Sequence, residues 1–310
     1  MSGELKIFAG GSHPRLAKAI AASLGEELGG SKTTMLANEN LEVQILENVR
    51  ESDVFYIQTA STPLHTHIFE MFMAIDALKS ASARRVTAVI PYMPYVRSDK
   101  KDKPRISIAA RLMSDLLVAS GADRVLTMDL HAPQVQGFFR VPSDQLQARQ
   151  IICEYLQRKN LSNAVLVAAD AGETMDVGRY ANSLNLPIAV IDQRVINNTR
   201  RPVAVMGEIK GKDAILIDDE IATGATCVRA AAFLMESGAV SVMACASHGS
   251  FTEGARERLA ASPLSEVIVT DTIPQQDPSL GKVTVLSVAP LFARAIQRIH
   301  DGNSISALFR

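Results

Sequence analysis

Two adjacent acids and the short loop behind them form the segment of this sequence best suited to chemistry. The apolar run 214–217 predicts a buried strand that ends in Asp218 and Asp219. In a parallel sheet, ligands bind beyond the carboxyl ends of strands, so these acids are placed to accept hydrogen bonds from vicinal sugar hydroxyls. The loop that follows contains Ala222, Thr223, Gly224, Ala225 and Thr226.

This loop is typical of a phosphate-binding turn. Its backbone N–H groups and the N-terminus of the next predicted helix favour an anion. The hydroxyls of Thr223 and Thr226 add donors. A phosphorylated sugar with vicinal hydroxyls, such as ribose 5-phosphate, matches both the acids and the loop. An ordinary strand-to-helix turn, whose acids the helix dipole favours, is the alternative interpretation.

The elements that must position these residues follow from short apolar runs alternating with amphipathic stretches. Strands are predicted at 54–57, 86–90, 125–130, 164–168, 188–191, 214–217, 240–246, 266–270 and 283–288. Helices are predicted at 68–81, 106–120, 151–159, 178–184, 226–237 and 293–299. This order and spacing indicate an α/β fold in which mostly parallel sheets are flanked by helices.

The length of 310 residues fits two domains. Pro and polar residues at 141–144 predict a boundary between an N-terminal domain, residues 1–145, and a C-terminal domain, residues 146–292. The segment 293–310 is expected to pack back on the N-terminal domain. Because both halves repeat the same order of elements, we expect the two domains to share one architecture.

Composition and charge argue against several classes of function. Lys plus Arg is 32 and Asp plus Glu is 33, so no overall field attracts nucleic acid or an anionic membrane. No apolar run approaches the roughly 18 residues of a membrane span, and the N-terminal sequence does not resemble a signal peptide. The three cysteines are widely separated, which argues against a disulfide framework and favours a reducing cytoplasm.

The acidic loop resembles the phosphoribosyl-pyrophosphate-binding motif shared by phosphoribosyltransferases and ribose-phosphate pyrophosphokinases. Four further blocks resemble the second family, and the resemblance extends over nearly the whole chain. The blocks are residues 38–40 together with 47–50, residues 89–101, residues 128–139, and residues 288–291 together with 304–306. A simple phosphoribosyltransferase would be shorter and would lack the first three blocks, and no base-binding hood is visible in the sequence. The resemblance implies two phosphoribosyltransferase-like domains.

The resemblance also implies an activity and a set of roles. The expected reaction transfers pyrophosphate from Mg-ATP to the 1-hydroxyl of ribose 5-phosphate, giving phosphoribosyl pyrophosphate and AMP for nucleotide biosynthesis. The implied ATP contacts are Asn38, Glu39, Asn40, Arg97 and Ser98. Of these, Asn38 and Asn40 would meet the adenine of ATP that is bound mainly by a neighbouring subunit. The implied Mg²⁺ ligands are His131 and Asp170. The family forms homo-oligomers that are built from dimers, commonly hexamers.

Two other features of the sequence have competing interpretations. The charged run 97–105 is either a solvated loop or a flexible arm whose Arg97 pairs with ATP phosphates. His65 and His67 have the spacing of a metal pair on a strand. Because no third ligand is in view, we interpret both histidines as loop residues.

Several positions depart from the family pattern where the transition state needs positive charge. Gln193 stands where the family has its catalytic Lys, and Val195 where it has an Arg. Arg194 is the remaining cation nearby and is therefore the catalytic candidate. Glu173 replaces a Gly and Asp176 falls where an Arg is common, so both add negative charge.

These departures, together with Ala222 in place of a common acid, leave a second function open. The chain would then be a catalytically weak or inactive paralogue. Such a protein would bind nucleotide or ribose phosphate, and would regulate or co-assemble with an active synthetase.

Overall fold

The computed structural model describes residues 3–196, 199–252, 254–275 and 281–309. The chain divides into two compact units. Unit 1 comprises Met1–Gln147, Thr272–Pro274 and Ser287–Arg310, and unit 2 comprises Ala148–Asp271 and Gln275–Leu286. None of the helices in the described ranges has the length and apolar character that crossing a bilayer requires.

Unit 1 is built on a parallel sheet of five strands in the order β1-β4-β5-β6-β7. Its first elements are β1 (Leu5–Ala9), α1 (Pro14–Leu24), β2 (Ser31–Met35), β3 (Leu41–Ile45), β4 (Asp53–Ile57), α2 (Leu64–Ser80), β5 (Arg85–Ile90), α3 (Ala109–Ala119), β6 (Arg124–Met128) and β7 (Ser143–Leu146). A 3₁₀ helix, Pro133–Phe138, lies between β6 and β7. The strands β2 and β3 form a separate antiparallel hairpin.

The core of unit 1 explains why its central strands are apolar on both faces. All five residues of β4 are buried, as expected where helices cover both sides of a parallel sheet. One face packs against α2 and α3, through side chains such as Ile75 and Leu117. The hairpin contributes Val43 and Ile45 to the edge of the same cluster.

Unit 2 is built on seven strands in the order β10-β9-β8-β11-β12-β13-β14. Its elements are α4 (Arg149–Leu156), β8 (Ala164–Ala168), α5 (Thr174–Leu184), β9 (Ile188–Ile196), β10 (Thr199–Met206), β11 (Asp213–Ile221), α6 (Ala225–Glu236), β12 (Ser241–Gly249), α7 (Ala255–Ala260), β13 (Glu266–Thr270) and β14 (Val283–Leu286). Every pairing is parallel except that of β9 with β10.

The predicted α/β class with mostly parallel sheets is confirmed. The predicted strand at 188–191 was too short, because β9 continues to Ile196 and turns into β10, for which no strand was predicted. The helix predicted from residue 106 begins at Ala109, after an exposed stretch. The C-terminal helix α8 (Ala289–His300) begins four residues earlier than the predicted 293, with Pro290 in its first turn.

Helix α8 belongs to unit 1, where it packs against α1. A buried carboxylate ties its end to the sheet. Asp53 accepts hydrogen bonds from Arg85 Nε at 2.7 Å and Arg85 Nη2 at 2.5 Å, and His300 Nδ1 lies 2.8 Å from its Oδ2. Arg85 also donates to the carbonyl of Ile299. The chain end therefore depends on one acid in β4.

We expect Asp53→Ala to destabilise unit 1 by about 2–4 kcal/mol, because the Asp53 side chain is only 3% exposed and its removal leaves Arg85 without its carboxylate. Denaturant unfolding followed by circular dichroism measures the change. The matched control is Asp115→Ala, which breaks the more exposed ion pairs that Asp115 makes with Arg111 and Arg140. It should cost less than about 1 kcal/mol. Equal effects of the two substitutions would contradict this assignment.

Candidate functional site

The predicted sugar-binding acids lie at the carboxyl end of β11, between β8 and β12. Asp218 and Asp219 are both half-buried. Asp218 Oδ1 accepts a hydrogen bond from the Asp219 backbone N–H at 2.8 Å. Both acids therefore lie among the last four residues of β11, which runs beyond the predicted end at 217 to Ile221, near the edge where ligands bind in this fold class.

The carboxyl group of Asp218 is electrostatically strained. Burial raises the pKa of Asp218 well above its ordinary value, and the negative charge of Glu173 is the second largest cause of this rise. A side-chain hydrogen bond with Asp219 and the charge of Asp219 act in the same direction. A ligand that brings hydroxyl donors or a cation would relieve this strain.

The predicted phosphate-binding turn leads from β11 into α6. Gly224 is the N-cap residue of α6 and has a left-handed φ of 70°. An added Cβ at Gly224 would lie 3.1 Å from Leu259 Cγ and Cδ2, so conformation and close packing both favour glycine. Thr223 Oγ1 accepts from Ala225 N at 3.3 Å, and Arg258 donates to the Thr223 carbonyl. Thr226 in the first turn is exposed.

The neighbouring strand β8 leads into Asp170 and a 3₁₀ turn, Ala171–Glu173. Asp170 caps this turn, since its Oδ1 accepts from Gly172 N at 2.8 Å. Glu173 Oε2 accepts from Ala169 N at 3.3 Å. The acid that departs from the family pattern is therefore turned back towards the end of β8.

The β9–β10 hairpin carries the positions where the family pattern has cations. Gln193 Nε2 donates to the Ala169 carbonyl at 2.6 Å. Val195 is 68% exposed. Arg194 lies on the face of β9 opposite to Gln193 and Val195. Its Nε lies 3.4 Å from Asp192 Oδ2, and its register partner in β10 is Arg201. Gln193 and Glu173 thus both contact the single residue Ala169.

In unit 1, the implied adenine-contacting residues occupy the tip of the β2–β3 hairpin. Leu36 N donates to the Asn40 carbonyl at 2.8 Å, and Glu39 has a left-handed φ of 63°. Asn38 Oδ1 accepts from Asn40 N at 3.3 Å. Asn38, Glu39 and Asn40 are all exposed, so a ligand can reach their side chains.

Arg97 and Ser98 follow β5 in a tight turn of unit 1. Ser98 N donates to the Tyr95 carbonyl at 2.9 Å, and Tyr95 has a φ of 61°. Arg97 is exposed, and the charged run from Lys100 to Arg105 that follows is exposed throughout. Gln134 Nε2 donates to buried Asp99 at 3.0 Å, which fixes the base of this arm.

His131 is exposed in the segment between β6 and the 3₁₀ helix that begins at Pro133. His65 and His67 were interpreted as loop residues, but both lie in the first turn of α2. His65 Nε2 lies 2.9 Å from Tyr95 Oη, and His67 Nδ1 lies 2.9 Å from the Ser61 carbonyl. Within the described ranges, no group of three or more His, Cys, Asp or Glu side chains is arranged to hold a metal ion.

The structure therefore gathers the predicted residues by unit. Unit 2 contains the acids, the predicted phosphate loop, Asp170 and Arg194, and unit 1 contains the predicted nucleotide-contact residues and His131. Glu70 was not singled out from the sequence. It is a buried acid in α2 that contacts the β2–β3 hairpin through Thr33. Its signal was a single carboxylate within an otherwise apolar helix face, between Ile68 and Met71.

We expect Asp218→Asn to stabilise the protein by about 1 kcal/mol or more at about pH 8, because folding raises the pKa of this acid. The penalty for ionising Asp218 is absent well below its unfolded pKa of about 3.9 and grows as the pH rises towards the folded value. The gain should therefore fade in urea titrations at about pH 4.

The control is Asp176→Asn, because Asp176 is an acid of α5 with a 63% exposed side chain. This control should change stability by less than about 0.5 kcal/mol at either pH. A gain from Asp218→Asn that does not vary with pH would contradict the electrostatic explanation.

Comparison with known proteins places both halves of the chain in one family. Residues 5–121 match the family described as the N-terminal domain of ribose phosphate pyrophosphokinase. Residues 193–310 match the phosphoribosyl synthetase-associated domain.

Similar proteins cover the chain from end to end. A ribose-phosphate pyrophosphokinase of Caldanaerobacter subterraneus subsp. tengcongensis is 46% identical over 308 residues, which is 98% of each chain. One of Deinococcus radiodurans is 46% identical over 312 residues, again 98% of each. The crystal structure of phosphoribosylpyrophosphate synthetase from Mycobacterium smegmatis superposes with a TM-score of 0.92 at 39% identity, covering 97% of this chain and 100% of that one. The chain belongs to the ribose-phosphate pyrophosphokinase family.

Proposed function

We propose that this chain transfers the pyrophosphoryl group of Mg-ATP to the 1-hydroxyl of ribose 5-phosphate, giving phosphoribosyl pyrophosphate and AMP for nucleotide biosynthesis. The observation that carries the proposal is the end of β11, where two carboxylates precede a turn of backbone donors at the N-terminus of α6. In this reaction the hydroxyl oxygen attacks the β-phosphorus in line. The bond from that phosphorus to the oxygen bridging it to the α-phosphorus breaks, AMP leaves with the electron pair, and the hydroxyl proton is released.

The acceptor sugar would be held by unit 2. Asp218 and Asp219 would accept hydrogen bonds from the vicinal ribose hydroxyls. The backbone of Ala222, Gly224 and Ala225 and the hydroxyls of Thr223 and Thr226 would bind the 5-phosphate, since a helix N-terminus favours an anion.

The nucleotide would be held by unit 1. The exposed guanidinium of Arg97 is suited to forked contacts with phosphate oxygens, and Ser98 adds a hydroxyl beside it. Asn38, Glu39 and Asn40 offer amide and carboxylate groups to the adenine edge.

His131 and Asp170 would hold the Mg²⁺ that accompanies ATP. The fit rests on donor chemistry, because Asp170 offers carboxylate oxygen and Mg²⁺ takes one or two carboxylates along with phosphates and waters. When bound, the ion neutralises phosphate charge. Because imidazole nitrogen is a less typical ligand, His131 would act through a retained water.

Arg194 is the proposed catalytic cation of unit 2. Its side chain is 72% exposed and only loosely paired with Asp192, so a phosphate oxygen can compete for it. A group of this kind stabilises charge that develops in the transition state.

A second function is favoured by the contacts of Gln193 and Glu173. The Gln193 amide is engaged with the Ala169 carbonyl and carries no charge, and the Glu173 carboxylate raises the pKa of Asp218. Both features oppose the transfer of a polyanionic group without preventing ligand binding. The chain would then bind nucleotide or ribose phosphate and regulate or co-assemble with an active synthetase.

We also propose that the protein is cytoplasmic and has no nucleic-acid partner. Its proposed assembly is a homo-oligomer that is built from dimers, up to a hexamer. The location rests on the cysteines, since Cys153, Cys227 and Cys245 are all free and buried. Burial raises the pKa of Cys153 to about 11 and that of Cys227 to about 12, so these thiols stay protonated.

Release of AMP from ATP, Mg²⁺ and ribose 5-phosphate tests the two functions. We expect measurable turnover by the unaltered chain and a rise of about tenfold or more with Gln193→Lys, because an ammonium replaces a neutral amide against developing phosphate charge. The matched control is Gln193→Met, which has a similar length and no charge, and it should not raise the rate.

The outcomes separate cleanly. No AMP above background from the unaltered chain, with ATP and ribose 5-phosphate still bound in a calorimetric titration, would favour the regulatory paralogue. Equal rates for the Lys and Met variants would show that positive charge at this position is irrelevant.

A further inference from the structure

The buried acid Glu70 has no role in the reaction described above. It lies in α2 and is 4% exposed, and its helix neighbours Ile68 and Met71 are in the core. Burying a carboxylate is costly unless hydrogen-bond donors surround it. Its partners therefore indicate what the position is for.

Three neutral donors satisfy Glu70, and they come from three different segments. Gly11 N lies 3.1 Å from Oε1 and 3.0 Å from Oε2. Gln58 Nε2 donates to Oε2 at 2.6 Å, and Thr33 Oγ1 donates to Oε1 at 2.7 Å. Gly11 follows β1 and Gln58 follows β4, so two of the three donors lie just beyond the carboxyl ends of strands in the main sheet of unit 1.

The third donor, Thr33, belongs to the β2–β3 hairpin, which packs against α2 and is joined to β1 just before β2, where Gly29 N donates to the Ile7 carbonyl at 2.7 Å. The two strands pair with each other and with no strand of the five-stranded sheet, among the residues described. Val43 and Ile45 pack on the core without directionality. Ser31 Oγ reaches the Ala9 carbonyl at 3.4 Å, which is long for a hydrogen bond.

The Thr33–Glu70 contact is therefore the short side-chain hydrogen bond that joins a strand of this hairpin to α2. Thr33 faces Val43 in the hairpin register, part-way between the base and the tip that carries Asn38 and Asn40. Hydrogen bonds to a charged acceptor contribute about 1.5–3 kcal/mol, enough to select one hairpin orientation over others.

We propose that Glu70 is a positioning residue for ATP, which acts through Thr33 to hold the β2–β3 hairpin and its tip residues in the orientation that receives adenine. This inference rests on the proposed function, because it takes the hairpin tip as the nucleotide contact. It predicts that loss of the hydroxyl weakens ATP binding and leaves ribose 5-phosphate binding unchanged.

The test compares Thr33→Val with Thr33→Ser in the full-length protein. Valine keeps the shape and the β-branched backbone preference but removes the donor, whereas serine keeps the hydroxyl. Thr33 is exposed, so neither change opens a core cavity. We expect the Val variant to bind a non-hydrolysable ATP analogue with Mg²⁺ about five- to tenfold more weakly, and the Ser variant to bind within about twofold of the unaltered chain.

Direct titration keeps this result independent of turnover. If the unaltered chain bound the ATP analogue but released no AMP, the proposed reaction would fail while the hairpin comparison would still be decisive. Unchanged ATP affinity in the Val variant would overturn the inference. An equal loss of ATP and ribose 5-phosphate affinity would also overturn it, because a merely structural role predicts that result.

A second substitution acts from the other side of the contact. In Glu70→Gln, the amide NH₂ would face one of the three donors, so we expect ATP to bind more weakly in this variant as well. A Gln variant that retains its melting temperature and full ATP affinity would contradict the proposal.

Discussion

A carboxylate that is buried at the end of a parallel strand must obtain a proton, hydrogen-bond donors or a cation, and Asp218 shows this constraint at the centre of unit 2. The backbone of Asp219 supplies one donor, while the charge of Glu173 works against ionisation. A diol brings two hydroxyl donors to such a group, and the adjacent turn offers amides to a phosphate. The hydroxyls of a ribose phosphate would therefore reduce the energetic cost of burying the Asp218 carboxylate.

Binding and transfer make different demands on this unit. Binding needs donors for the sugar and its phosphate, and the β11–α6 turn is the proposed source of those for the phosphate. Transfer needs positive charge where phosphate charge develops, yet Gln193 is neutral and Arg194 lies beside Asp192. Because Gln193 and Glu173 both contact Ala169, the two departures from the family pattern meet at one backbone residue. We therefore interpret Gln193 and Glu173 as one local change around Ala169 and not as two independent substitutions.

The sequence predicted the features that depend on local patterns. Buried parallel strands are continuous apolar runs, so Ala164–Ala168 and Glu266–Thr270 were predicted with their observed bounds. The two hairpins were not predicted, because Ser31–Met35 and Thr199–Met206 are polar or exposed and pair with neighbours that lie close in sequence. Strand pairing at a sheet edge depends on partners and not on apolar periodicity.

Side-chain contacts between distant segments were also beyond the sequence, and the two buried acids of unit 1 show why. Asp53 is paired with the cations Arg85 and His300, which fits a scaffold contact that stays closed. Among the described residues, Glu70 accepts hydrogen bonds from neutral donors, one of which comes from the hairpin. A hydrogen bond from a neutral hydroxyl to a carboxylate contributes about 1.5–3 kcal/mol, whereas breaking a buried ion pair costs about 3–5 kcal/mol. The hydroxyl of Thr33 is therefore strong enough to orient the hairpin, while the ion pairs of Asp53 fix the end of α8 more firmly.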